Sequence, residues 1–139
     1  MGRIMSIDPG KKRTGLAVTD PLQIIATGLT TVDTSDLSEY LKKYTNENEV
    51  ECFVVGYPKN LDNTYTDSTE MVNHLVGRLK REYPTITLVK VDERFTSKMA
   101  KQTMLAGGLK KKDRQKKETV DMISATIILQ SYMQQKSTL

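Results

Sequence analysis

Cys52-Phe53-Val54-Val55-Gly56 is a short, unbroken apolar run set between two stretches of helical periodicity. It is too short for a helix and does not alternate as a half-exposed strand does. A run of this kind after a helix marks a central parallel strand covered on both faces. The flanks supply the covers. Before it, Leu37, Tyr40, Leu41 and Tyr44 recur at i, i+3, i+4 and i+7, so a helix with one buried face runs to about Asn46. Thr34-Ser35-Asp36 opens that helix, and Asp36 with Glu39 has the spacing of a capping box. After it, Val72, Leu75, Val76, Leu79 and Tyr83 stripe a second helix from about Asp67 to Tyr83, stopped by Pro84.

The N-terminal third reads differently. Ile4, Met5 and Ile7 form a strand ended by Pro9-Gly10, and Leu16-Ala17-Val18 resume the extended pattern after Gly15. Ile24 to Val32 continues as a third antiparallel strand, and Ile86 to Val91 is the fifth strand of the chain. Ser97 to Ala106 reads as a helix closed by Gly107-Gly108, and a last helix covers about Glu118 to Gln135. A three-stranded meander feeding β-α-β units predicts an α/β fold, one mixed five-stranded sheet with helices on both faces. The 139 residues suffice for a single domain, 1–139, and not for two. No run is long enough to span a membrane, and the N-terminus lacks a signal-peptide core. Cys52 is the only cysteine, which removes internal disulfides and thiolate clusters and fits a reducing, cytoplasmic setting.

Three acidic positions carry the chemistry. Asp8 ends the first strand and is followed by the cations Lys11, Lys12 and Arg13 in a glycine-flanked turn. A carboxylate beside such a turn suits a site that handles phosphate with a divalent metal; the plain alternative is a hairpin with an exposed acid and a solvated turn. Asp121 falls inside the apolar arc of the last helix, formed by Val120, Ile123, Ala125, Ile127, Ile128 and Tyr132. A carboxylate there must be paired by a metal or an arginine, unless water reaches it in the first turn. Asp92-Glu93-Arg94 ends the fifth strand at the same sheet edge as Asp8. Only one of its two acids can enter the cleft, and apolar residues on both parities leave the choice open. Clustered acids with lysines and arginines around them, and only one histidine in the chain (His74, on a helix surface), suit hard ions such as Mg²⁺ or Mn²⁺. Two such ions clamp the attacking water and the leaving oxygen of a phosphodiester.

Four stretches in order resemble the YqgF/RuvX family of the RNase H-like superfamily, known both as Holliday junction resolvases and as pre-16S rRNA nucleases. Asp8-Pro9-Gly10-Lys11-Lys12-Arg13-Thr14-Gly15-Leu16-Ala17 matches its D-x-G-x-K-R-x-G-[VL]-A motif, and Val55-Gly56-Tyr57-Pro58 resembles V-G-L-P. Asp92 to Ser97 resembles D-E-R-L-[TS]-[TS]. Val120 to Ala125 with Ile128-Leu129-Gln130 resembles D-x-x-A-A followed by I-L-Q. The departures are Tyr57 for Leu, Asn63 for a usual Gly, Phe95 for Leu and Ser124 for Ala; none removes an acid. The resemblance implies an RNase H-like fold with Asp8, Glu93 and Asp121 as the catalytic, metal-binding set.

The activity expected is metal-dependent endonucleolytic cleavage of structured nucleic acid, with two Mg²⁺ or Mn²⁺ ions. The resemblance offers two substrates, precursor 16S rRNA on its way into ribosomal particles and branched DNA. RNA is preferred, because symmetric resolution of a junction needs a dimer, and no long apolar seam demands more than a monomer or weak dimer. Lys11, Lys12, Arg13 and Arg94 would hold the backbone near the scissile phosphate. Six cations and one acid between Lys110 and Lys117, including Lys110, Lys111, Lys112 and Arg114, would track phosphates without reading sequence. The rest of the chain, net charge +4 overall, is close to neutral. A rival of another class is a non-catalytic RNA- or ribosome-binding protein using the same basic surface. An ATP-binding relative of the actin-like group would need a second phosphate loop and a larger domain, for which the chain has no room.

Overall fold

The computed structural model describes residues 2–57, 67–92 and 117–137. Strands β1 (Arg3–Asp8), β2 (Arg13–Thr19) and β3 (Ala26–Asp33) form an antiparallel meander. A 3-10 turn (Thr34–Asp36) leads into α1 (Leu37–Glu47), followed by β4 (Val50–Tyr57), α2 (Asp67–Glu82), β5 (Thr87–Asp92) and α3 (Lys117–Ser137). The sheet order is β3-β2-β1-β4-β5, with β4 parallel to both β1 and β5. This is the mixed five-stranded sheet that the pattern predicts.

Both faces of the sheet are covered, which is why the Cys52–Gly56 run is apolar at every position. Met5, Ile7, Leu16, Val18, Phe53 and Val55 point to one face, against Leu37 and Leu41 of α1 and Val72, Leu75, Val76 and Leu79 of α2. Ile4, Ala17, Cys52, Val54 and Val91 point to the other, against Ala125, Ile128 and Leu129 of α3. Phe53 is 1% exposed and meets the Tyr83 ring edge-on at 5.4 Å. Burying a side chain of that size contributes about 2–3 kcal/mol, so one strand of such residues anchors the whole sheet. No described helix is long and apolar enough to cross a membrane.

Three expectations need correction. The Asp36–Glu39 capping box does not form: Asp36 has φ −98° and ψ −1° and caps no backbone amide with its side chain. The preceding 3-10 turn leaves it close to helical geometry, whereas a capping residue needs an extended backbone. The third strand begins at Ala26 rather than Ile24, because the Asp20 carboxylate accepts hydrogen bonds from the amides of Ile24 (2.7 Å) and Ile25 (2.8 Å) and holds them in the turn. On α3, Leu129 and Ser124 are buried while Val120 and Ile123 are only partly so, since the helix lies across several strands. The helix expected at Ser97–Ala106 lies outside the described residues.

Candidate functional site

Asp8 closes β1, and the antiparallel register sets it opposite Gly15 of β2. Alternation along β1 decides which way it faces. Two residues back, the Ser6 hydroxyl donates to the Ala125 carbonyl of α3 at 2.6 Å. Ile4, a further two back, packs with Ala125, Ile128 and Leu129. Asp8 therefore belongs to the α3 face, at the carboxyl edge of the sheet. The turn that follows is pinned from below. The Thr34 hydroxyl donates to the Gly10 carbonyl at 2.6 Å, and the Thr34 amide donates to the Lys12 carbonyl at 2.9 Å. Lys11 and Lys12 stay exposed on its outer side.

Asp121 lies in the second turn of α3, where the helix crosses β2. The close approach requires glycine at position 15: a Cβ there would run into the Asp121 carbonyl and stand 3.1 Å from the Asp121 Cβ. Gly15 thus has Asp8 beside it in the sheet and Asp121 stacked on it from the helix. That brings two of the three expected acids to one place on one face. Arg13, two residues before Gly15 and of the same parity, reaches the Asp121 carboxylate with its Nε at 3.4 Å. Their side chains are 28% and 29% exposed, so this long, partly solvated pair contributes at most about 1 kcal/mol. Arg13, expected at the nucleic-acid backbone, thereby also offers a counter-charge to an acid.

The strand register also separates the two acids of the third motif. Val91 packs in the cluster beneath α3, and Asp92, the next residue, points to the opposite face. That face holds Leu88 and Lys90, whose ammonium sits 5.1 Å from the centre of the Tyr57 ring. Asp92 is therefore turned away from Asp8 and Asp121. Glu93, Arg94, Lys110, Lys111, Lys112 and Arg114 lie outside the described residues. Among the described residues no three His, Cys, Asp or Glu side chains form a metal-binding group. The two acids that do converge are hard oxygen donors. Cys52 is buried near the far end of β4, beside Ile4, and burial pushes its thiol pKa up, against thiolate ligation. His74 is exposed on α2. The donor chemistry fits a hard divalent cation.

Two residues of the site escape sequence reasoning. Ser6 ties β1 to α3, and Gly15 seats Asp121. Their signal is present as small residues on one parity (Ser6, Gly15, Ala17), continued by Gly28 of β3, where a Cβ would stand 2.7 Å from the Met122 Cγ. Small residues along a sheet face mark where a helix lies close, but only the register shows that they share one.

Comparison with known proteins agrees with this architecture. Residues 2–135 match the model of the RuvX family, described as Holliday junction resolvase. A protein of Phocaeicola vulgatus named "Putative pre-16S rRNA nuclease" is 54% identical over 136 residues, covering 98% of each chain. One of the same name from Flavobacterium johnsoniae is 50% identical, covering 98% of this chain and 99% of its own. Among solved structures, Thermus thermophilus RuvC in complex with a Holliday junction substrate superposes with a TM-score of 0.56 at 17% identity, over 97% of this chain and 96% of that one. At that identity the likeness speaks for the fold alone, and the fold is RNase H-like. The match of the family model over residues 2–135 makes this chain a member of the RuvX family.

Proposed function

We propose that this chain is a divalent-metal-dependent endonuclease that acts on structured RNA, with precursor 16S rRNA as its substrate. The observation that carries the reading is the meeting of Asp8 and Asp121 on one face of the sheet around Gly15. A nuclease of this family needs carboxylates at that edge, and the two come from elements more than a hundred residues apart. Glu93 is taken as the third acid, on its motif and on the orientation of Asp92 away from this face. These three acids would hold two Mg²⁺ or Mn²⁺ ions. Bound there, the ions supply the positive charge that favours attack of water on a phosphodiester and departure of the leaving oxygen. Arg13 balances Asp121 when substrate is absent, and Lys11 and Lys12 hold the nucleic-acid backbone at the same edge. Lys110, Lys111, Lys112, Arg114 and Arg94 extend that cationic path without reading bases.

RNA is preferred to branched DNA because relatives 54% and 50% identical to this chain carry the rRNA name, while a four-way junction requires two symmetric cuts and a dimer to make them. The deciding experiment offers ribosomal precursor RNA and a DNA four-way junction side by side to wild type and Asp8→Asn, with Mg²⁺ and with Mn²⁺. Cleavage of the RNA that is lost in Asp8→Asn supports the proposal. Cleavage of the junction alone moves the protein to DNA resolution. Tight binding that leaves both substrates intact would identify a non-catalytic RNA- or ribosome-binding protein.

A further inference from the structure

On the opposite face of the sheet from Asp8, a cavity of about 360 Å³ opens beneath the β1–β2 turn. Pro9 forms one wall, Leu37 and Leu75 lie in its floor, and α2 closes it with His74, Arg78 and Arg81. These three recur at i, i+4 and i+7 and so share one helical face. Two observations single the cavity out. The Arg78 Nε is buried and has no hydrogen-bond partner. Buried donors are almost always satisfied, so this guanidinium, on a residue that lines the cavity, keeps unused donor capacity. Furthermore, no ion pair among the described residues involves His74, Arg78 or Arg81. The Arg81 guanidinium folds back toward the N-terminal end of the helix, where a Cβ at Gly77 would lie 3.5 Å from its Nη1.

We infer that this cavity is a phosphate-binding subsite that receives a backbone phosphate of the nucleic acid beyond the scissile one. Two guanidiniums flanking a half-enclosed space suit an oxyanion, which accepts several charge-assisted hydrogen bonds at once. The apolar floor of Leu37 and Leu75 lowers the local dielectric and strengthens the attraction. Pro9, in the cavity wall, directly follows Asp8, and the exposed Lys11 and Lys12 lie on the turn between the two faces. A strand entering at the acids would pass over this turn and reach Arg78 and Arg81. The backbone assignment rests on the nuclease reading; the oxyanion assignment does not.

His74 is the only histidine, so its ring resonances report this cavity without ambiguity. Inorganic phosphate titrated at fixed pH, with ionic strength held by chloride, should shift them saturably in the wild type. In Arg78→Gln and Arg81→Gln the affinity should fall about tenfold, the loss of one charge-assisted contact. Lys80→Gln, on the exposed side of α2, should titrate as wild type. Amide spectra establish that each variant is folded. A hairpin RNA without metal should shift the same resonances, and each arginine variant should lower its log–log salt slope by roughly one unit. Unmoved His74 resonances, or equal titrations in wild type and both arginine variants, would overturn the inference. A response to phosphate but not to RNA would overturn the backbone assignment. The Asp8→Asn cleavage assay judges the nuclease reading separately: phosphate binding without any cleavage would leave the oxyanion site and remove the nuclease, and cleavage with silent His74 would do the reverse.

Discussion

Gly15 and Asp121 are in contact across the β2–α3 interface, with the glycine carbon lying directly beneath the backbone of the acid. A methyl group at position 15 meets main chain, which cannot swing aside as a side chain does. Gly15→Ala should therefore lift the start of α3 and cost about 1–3 kcal/mol, the range for overpacking. Cleavage should fall further than stability explains, because Asp121 moves relative to Asp8. Gly28→Ala provides the contrast. There the obstacle is the Met122 side chain, which can adopt another rotamer, and the loss should stay below about 1 kcal/mol. Urea unfolding of both variants, beside their cleavage rates, checks the difference. Equal costs would mean that α3 is not seated by Gly15.

Asp8→Asn should abolish cleavage while leaving the melting temperature in EDTA equal or higher, since one of the clustered charges is removed. Mg²⁺ should raise the melting temperature of the wild type by mass action. At one hundred times the dissociation constant this stabilisation is about 2.7 kcal/mol. The variant should show a much smaller rise. A large loss of stability without metal would make Asp8 a structural residue.

Arg13→Gln removes a counter-charge of Asp121. The pair is partly exposed, so stability should change by less than about 1 kcal/mol. With the guanidinium gone, Mg²⁺ meets less repulsion and should bind more tightly, while affinity for RNA falls. Calorimetric Mg²⁺ titration of both proteins without nucleic acid tests this, and weaker metal binding in the variant would show that Arg13 positions the acid.

The turn between β2 and β3 should respond to acid. The Ile25 amide, opposed by desolvation and aided by the Ile24 amide, holds the Asp20 carboxyl pKa below its ordinary 3.8. A lowered folded-state pKa means that this contribution is fully present above 3.8 and is lost as pH falls through the folded value. The amide resonances of Ile24 and Ile25 should therefore titrate together with a midpoint below 3.8, and Asp20→Asn should remove that titration. A midpoint above 3.8 would contradict the hydrogen bonds seen in the turn.

The sheet was legible because burial on both faces writes itself into composition. Cys52 to Gly56 could be nothing but an interior strand once helices were recognised on either side. Leu37, Leu41, Val72, Leu75, Val76 and Leu79 announced their faces by period. The helix start at Asp36 was misread because a 3-10 turn and a capping box draw on the same residue types. Asp121 was found from its position in an apolar arc, but its seat on Gly15 was not. Helix docking depends on which small residues of two separate strands share a face. Asp92 and Glu93 could not be separated for a related reason. Leu88 and Val89 are both apolar because β5 too is covered on both sides, and parity became readable only when Val91 was seen against α3. The His74, Arg78 and Arg81 row was overlooked because cations at helical spacing on an exposed stretch ordinarily mean solvent.

The Ser6–Ala125 hydrogen bond acts as a datum line for the two acids. Asp8 stands two strand residues from it, about 6.6 Å, and Asp121 stands four helical residues from it, about 6 Å. The helix runs back down the sheet, so both displacements point to the same edge and the acids arrive level. Such a gauge tolerates substitution but not a change of length. One residue inserted between Ser6 and Asp8 would send the carboxylate through the sheet to the α1 and α2 side. One inserted between Asp121 and Ala125 would rotate it about 100° around the helix. Across related chains, insertions should therefore accumulate elsewhere, and these two short intervals should keep the same number of residues whatever their composition.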